Sequence, residues 1–242
     1  MSKKIYYALV DSETTQIGRQ IADFACVILD RRGKVHAQCA VLIRGIYDHP
    51  ERYPLFYRPD APDSDIWSIR SRERRRKAYD NMLDNGSRML ASITAINRWL
   101  ERARGQFNPV LTAYNLDFDV QAMRATGIDD AIFSRRFCLM QASIGAFANR
   151  RSFKKFALQH HQFKAPTARG NMSLKLSAEA IGRYVMGDPD LVEPHTALED
   201  VLFFEAPILH KLVQQYSLKQ LMDISKPLNW RDHQVRDHYK PV

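Results

Sequence analysis

Apolar and polar positions divide the chain into two regimes. Residues 4 to 11 and 20 to 30 are rich in Ile, Val, Tyr and Phe, and the stretch DRRGK at 30 to 34 leads into a third such run, VHAQCAVLI, at 35 to 43. Runs of β-branched and aromatic residues joined by a glycine-containing turn predict strands that pair as hairpins. The chain therefore opens with three antiparallel strands. Residues 45 to 68 hold Pro50, Pro54, Pro59 and Pro62 among several aromatics. Proline removes backbone donors and fixes φ, so the region at about 45–75 reads as an irregular insertion packed by its own side chains.

From about Arg74 the pattern turns helical. In SRMLASITAINRWLERARG, Met89, Leu90, Ile93, Ile96, Trp99 and Leu100 recur at the three-and-four spacing of an amphipathic helix closed by Gly105. PVLTAY at 109 to 114 is a short apolar strand, the region from Val120 to Ala125 a helix, and AIFSRRFCLM at 131 to 140 another strand. Helices fill most of the remainder to Leu221, and Pro207 is placed to kink or interrupt one of them. Three hairpin strands followed by alternating helices and strands predict an α/β fold, a mixed sheet flanked by helices. The 242 residues, 45% of them hydrophobic, suffice for one large domain over 1–225, with a tail at 226–242 that carries Trp230, His233 and His238 without helical periodicity.

Charge narrows the partners. Thirty-six Lys and Arg against 27 Asp and Glu give a formal charge of +9, a balance that favours polyanions such as nucleic acid. Cys26, Cys39 and Cys138 are widely spaced and include no C-x-x-C pair, which argues against a disulfide framework or a structural zinc site. The apolar run after Lys3 and Lys4 stops at Asp11, too short for a secretory signal, and no segment reaches the ~20 apolar residues of a membrane span. A soluble, cytoplasmic protein is expected.

Three groups of carboxylates carry the chemistry. YYALVDSETT runs a buried strand into Asp11 and Glu13, which alternation projects from the same face, where they repel unless a cation lies between them. Asp117 and Asp119 follow the strand PVLTAY, at the end of a parallel strand where ligands bind in open α/β sheets. Asp117 fits a helix N-cap, whereas Asp119 falls in the first helical turn. Finally, Thr196 and Glu199 have capping-box spacing, leaving His195 outside the helix on a mobile lead-in and Asp200 one turn inside.

D-x-E in the first strand, N-x-x-F-D after a later strand and H-x-A-x-x-D at the start of a late helix together resemble the DEDDh exonuclease family. The match rests on Asp11 and Glu13, on Asn115, Phe118 and Asp119, and on His195, Ala197 and Asp200, in family order. Each motif is weak alone; the ordered set is strong. Tyr114 departs from the histidine that many relatives carry before the asparagine, and MSLKLSAEAIGRYVM at 172 to 186 looks like the helix that relatives place before the third motif. The resemblance implies a ribonuclease H-like fold, two Mg²⁺ or Mn²⁺ ions, and release of 5′-mononucleotides from single-stranded DNA or RNA 3′ ends. It also implies that Asp11 bridges both ions, that Glu13 and Asp200 complete one site, that Asp119 holds the other directly or through water, and that His195 is the general base. Such roles suit the residues: hard cations prefer carboxylate oxygens, and an imidazole titrating near pH ~6.5 can accept a proton at neutrality.

For substrate, the resemblance places Thr14 and Thr15 near the terminal nucleotide, with Asn115 and Phe118 beside it. Phe118, Phe147, Phe153, Phe156 and Tyr57 are further candidates for stacking on bases. The basic runs RSRERRRK (70 to 77) and NRRSFKK (149 to 155) each fit either a phosphate track or a solvated helix face; the second, with Phe153 amid charge, is the better candidate. Some relatives dimerise, but no stretch marks an interface. Two rivals remain: a ribonuclease H-type endonuclease, against which H-x-A-x-x-D argues, and a catalytically idle nucleic-acid-binding module, which the loss of a ligand would favour and against which the five intact key positions stand.

Overall fold

A computed structural model describes residues 4–16, 18–49, 55–164 and 172–225; the tail at 226–242 and Pro50 and Pro54 of the insertion lie outside these. The three opening strands form as the alternation predicts: β1 (Tyr6–Thr14), β2 (Ile21–Asp30) and β3 (Val35–Ile43) pair antiparallel. A six-stranded mixed sheet grows from them with β4 (Leu90–Ala91), β5 (Val110–Ala113) and β6 (Arg136–Cys138), in the order β4-β3-β2-β1-β5-β6, with β5 and β6 parallel to β1 and β4 parallel to β3. Helices cover both faces, a ribonuclease H-like arrangement.

Side chains of β1 alternate between two cores. Ala8 and Val10 face one core with Tyr79 of helix α1 (Ile69–Asp84), Ile96 and Leu100 of α2 (Ile93–Phe107), and Val120 and Met123 of α3 (Leu116–Thr126). Tyr7 and Leu9 face the other, built from α4 (Leu139–Phe147), α5 (Arg151–Gln159), α6 (Ala178–Met186), α7 (Ala197–Asp200), α8 (Ala206–Gln215) and α9 (Leu218–Ile224). Asp11 and Glu13 continue the second series, so their face is that of α7.

Several boundaries differ from the pattern. Met89 and Leu90 do not begin a helix: Leu90–Ala91 is the short strand β4, Ser92 caps α2, and Met89 is exposed. The helix runs through Gly105 and ends at Asn108, which takes the left-handed conformation. Helix α1 starts at Ile69 rather than near Arg74 because Ser68 accepts the Ser71 N–H as its N-cap. Asn115, not Asp117, precedes α3 as N-cap. Strands β5 (Val110–Ala113) and β6 (Arg136–Cys138) are shorter than their apolar runs, with Leu139 already helical. Likewise α6 covers only the second half of 172 to 186, and Leu174 bridges Phe163 before it.

Pro207 interrupts a regular helix as expected, and the form of the interruption is specific. Between α7 and α8 the backbone makes a π turn, Val201–Glu205, in which the Ala206 N–H reaches back to the Val201 carbonyl. The three cysteines are free thiols, Cys26 and Cys138 buried. Among the described residues no helix is long and apolar enough to cross a membrane.

Candidate metal centre

The end of β1 and the start of α7 meet at one place. Glu13, His195 and Asp200 each offer a ligand atom within 4.8 Å of the other two, a group that could hold a metal ion. Glu13 and Asp200 are buried and His195 is half-buried. The His195 N–H donates to Asp200 Oδ1 at 3.1 Å, which fixes the lead-in residue to the helix it precedes. His195 takes a left-handed φ of 56°, so the chain turns sharply there and its imidazole packs tilted on Trp67, with ring centroids 5.6 Å apart. The lead-in is thus held by Asp200 and by the insertion.

Asp11 and Asp119 fall outside that group of three. Asp119 approaches from α3 on the opposite face, where the intervening residue Ser12 donates its hydroxyl to Asp119 Oδ1 at 2.7 Å. Repulsion nevertheless joins them to the centre. Burial pushes Asp11 up to about 7, with Asp23 adding to it. Burial and then the Asp11 charge push Asp200 up to about 11 and raise Asp119 well above the usual carboxylate range. Glu193, raised to about 8, and Glu205, raised well above its ordinary value, belong to the same cluster, each through burial and then Asp11.

Little positive charge answers these acids. Arg75 of α1, itself buried, donates to Glu13 Oε2 at 3.3 Å and to the Phe56 carbonyl at 2.9 Å, and its guanidinium lies over Trp67. Asp11, Asp119, Asp200 and Glu205 have no Lys or Arg salt-bridge partner among the described residues. Buried carboxylates without cations must stay protonated or find one. Carboxylate oxygens with a neutral imidazole suit a divalent ion, and the residues present fit one.

A second buried network holds α7 in place. Asp23, directly opposite Glu13 in the sheet, accepts the Ala197 N–H at 2.9 Å and the Tyr79 hydroxyl at 2.8 Å. Arg88 lies 3.7 Å from its other oxygen and donates to Glu199 at 2.5 Å. Glu199 also accepts the Thr196 hydroxyl at 2.6 Å, so the expected capping box closes between side chains instead of onto the backbone.

The expected substrate residues are more dispersed. Thr14 and Thr15 are buried beside Glu13, the Thr14 carbonyl accepting from Phe56 N–H and the Thr15 N–H donating to the Gln20 carbonyl, both at 2.8 Å. Asn115 is exposed and Phe118 half-buried, one on each side of the α3 start. Phe147 and Phe153 are fully buried in the core and offer no face to a base. That removes the distinguishing feature of NRRSFKK: its helix α5 turns Phe153 inward and Arg151 and Lys155 outward. In RSRERRRK, Arg72 and Arg75 are buried, Arg75 on Glu13, while Arg74, Arg76 and Lys77 are exposed. Tyr114, at the histidine position of many relatives, donates to the Leu176 carbonyl at 2.6 Å and ties β5 to the segment before α6. Sequence reasoning missed Ser12, Asp23, Trp67, Arg75, Glu193 and Glu205.

Compared with known proteins, the chain matches no family model and no curated protein.

The carboxyl cluster sets a pH dependence. Unfolded Asp and Glu titrate near pH ~4, whereas burial raises Asp11 to about 7 and Glu193 to about 8. The stability these protonated groups contribute is full below the unfolded value and is lost as pH rises through the folded values. Burial and then Arg75 lower His195 to about 4, so its contribution runs the other way: present above about pH 6.5 and lost as pH falls through the folded value. Above about pH 7 the slope therefore belongs to the carboxyls. In chelator the melting temperature is expected to fall between about pH 7 and about pH 9, with millimolar Mg²⁺ or Mn²⁺ cancelling most of the fall. A flat profile in chelator would contradict the cluster.

Proposed function

We propose that this chain is a metal-dependent 3′-to-5′ exonuclease of the DEDDh type, hydrolysing phosphodiester bonds at single-stranded DNA or RNA ends. The observation that carries the reading is the meeting of Glu13 from β1 with His195 and Asp200 from the lead-in and first turn of α7 within 4.8 Å, while Asp119 reaches Ser12 between Asp11 and Glu13. The motif order in the sequence and this convergence support the same chemistry from independent directions. A pair of Mg²⁺ or Mn²⁺ ions would supply Lewis acidity to the phosphoryl oxygens, a lowered water pKa and charge for the leaving oxygen. Asp11, Glu13 and Asp200 would hold one ion, and Asp119, with Asp11 between, the other.

The protein's own residues do the rest. His195 is neutral at pH 7 and lies within reach of the Glu13 and Asp200 oxygens, so its free nitrogen can take the proton of a water positioned there. Asp200 fixes the backbone of His195, and Trp67 limits the swing of its ring. Exposed Asn115 and half-buried Phe118 flank Asp119, where a terminal nucleotide would lie across the two ion positions. Arg74, Arg76 and Lys77 are exposed on α1, the helix whose Arg75 reaches Glu13, and add basic charge available to a phosphate backbone.

Chromatography of the products from an unlabelled single-stranded oligomer in Mg²⁺ tests the chemistry. Nucleoside 5′-monophosphates are expected; 3′-monophosphates or no products would oppose it. Trp67→Ala is expected to lower kcat about tenfold, a typical share for a loosened base, while leaving Mn²⁺ affinity unchanged. Loss of metal binding in this variant would show that Trp67 supports the ligands rather than the imidazole.

A further inference from the structure

Glu205 lies five residues after Asp200. At about 100° per residue an α-helix would set these carboxyls roughly 140° apart, with one of them turned from the sheet. The intervening segment is instead a π turn, Val201–Glu205, whose hydrogen bond closes over five residues. Residues five apart then return to the same side of the helix, and such single turns occur often at functional sites. Two local features fix this register. Pro207 cannot donate to the carbonyl four residues back, so the regular ladder is already broken there. Gly182 of α6 abuts the turn so closely that a Cβ on it would lie 3.0 Å from the Phe204 ring.

The result is an acid buried where acids are costly. Glu205 is 2% exposed, and its Oε2 has no hydrogen-bond partner among the described residues. The π turn packs against β1 and β2, and the charges that bear on Glu205 are, in order, Asp11, Asp119, Glu193 and Asp200. An unpartnered buried carboxyl destabilises the fold, and a neutral side chain of similar size would serve the core better. A cation shared with Asp11 and Asp200 would remove that cost.

We propose that Glu205 is a further carboxylate of the metal centre, outside the group of three but turned toward the side of Asp200 by the π turn. The inference rests on the metal-centre reading above. Mn²⁺ is titrated calorimetrically into the metal-free full chain, its Glu205→Gln variant and its Asp11→Asn variant, and each protein is melted in chelator. Glu205→Gln is expected to bind Mn²⁺ at least tenfold more weakly than the parent while melting no lower, because the amide removes repulsion. If Glu205→Gln does not fold, Glu205→Met, which needs no partner in the core, enters the same comparison. Binding within twofold of the parent in a folded Glu205 variant, with Asp11→Asn impaired, would overturn the role of Glu205 and leave the metal centre standing. Failure of the parent itself to bind Mn²⁺ would overturn both.

Discussion

Asp11→Asn is expected to lower metal-dependent phosphodiester cleavage by at least about 10³-fold, roughly 4 kcal/mol of transition-state stabilisation. Asp11 is the residue through which the cluster is connected: its charge is the leading source of repulsion, after burial itself, on Asp119, Glu193, Asp200 and Glu205. A group that disturbs so many acids without a cation is the one best placed to bridge when cations arrive. The same substitution is expected to leave the melting temperature in chelator unchanged or higher, since Asn keeps the volume and removes the charge. Single-turnover cleavage and a thermal melt on the same preparation check both parts. Lower activity with an equal loss of stability would assign Asp11 a structural role.

Arg88→Met is expected to produce the largest loss of stability. Arg88 and Asp23 are 3% and 0% exposed, and removing the cation leaves Asp23 and Glu199 facing each other without it. Breaking a buried pair from one side costs about 3–5 kcal/mol, which for a domain of this size is a drop of roughly 6–20 °C in Tm. Asp23 also holds the first N–H of α7, so the loss should loosen His195 and Asp200 and lower activity beyond what unfolding explains. Urea titration measures the first effect. Adding Asp23→Asn to Arg88→Met should recover much of it, because the amide oxygen still accepts the Ala197 N–H and only the partly exposed Glu199 is left without its cation. Independent, additive losses would contradict the coupling.

How far the sequence reveals this molecule depends on the range of the interactions involved. The first three strands were legible because alternation is a local signal, and the same period of two placed Asp11 and Glu13 together. Met89 and Leu90 satisfied a helical stripe equally well, and only pairing with β3 turned Leu90 into a strand. Helix α1 begins in RSRERRRK, whose first turns show no apolar stripe because Arg72 and Arg75 are themselves buried, Arg75 against Glu13. Such a contact, 62 positions apart along the chain, leaves no local trace. Phe153 reads as an aromatic amid charge, yet on a helix that charge is the outer face and the ring the inner one.

The site was legible as an ordered set of residue types, but not as a geometry. Nothing in H-x-A-x-x-D announces that His195 adopts a positive φ or meets Trp67 of the insertion. Glu205 escaped because a regular helix would have turned it away from Asp200; the π turn is a departure from the period on which sequence reading depends.

The most direct test of the central claim is a timed digestion of 5′-labelled single-stranded DNA and RNA oligomers in Mg²⁺ or in chelator, with the parent, Asp11→Asn and His195→Ala in parallel. A ladder that shortens one nucleotide at a time from the 3′ end, requires the metal and vanishes in both variants is the expected result. Internal cuts, or tight binding of both polymers without cleavage, would contradict it.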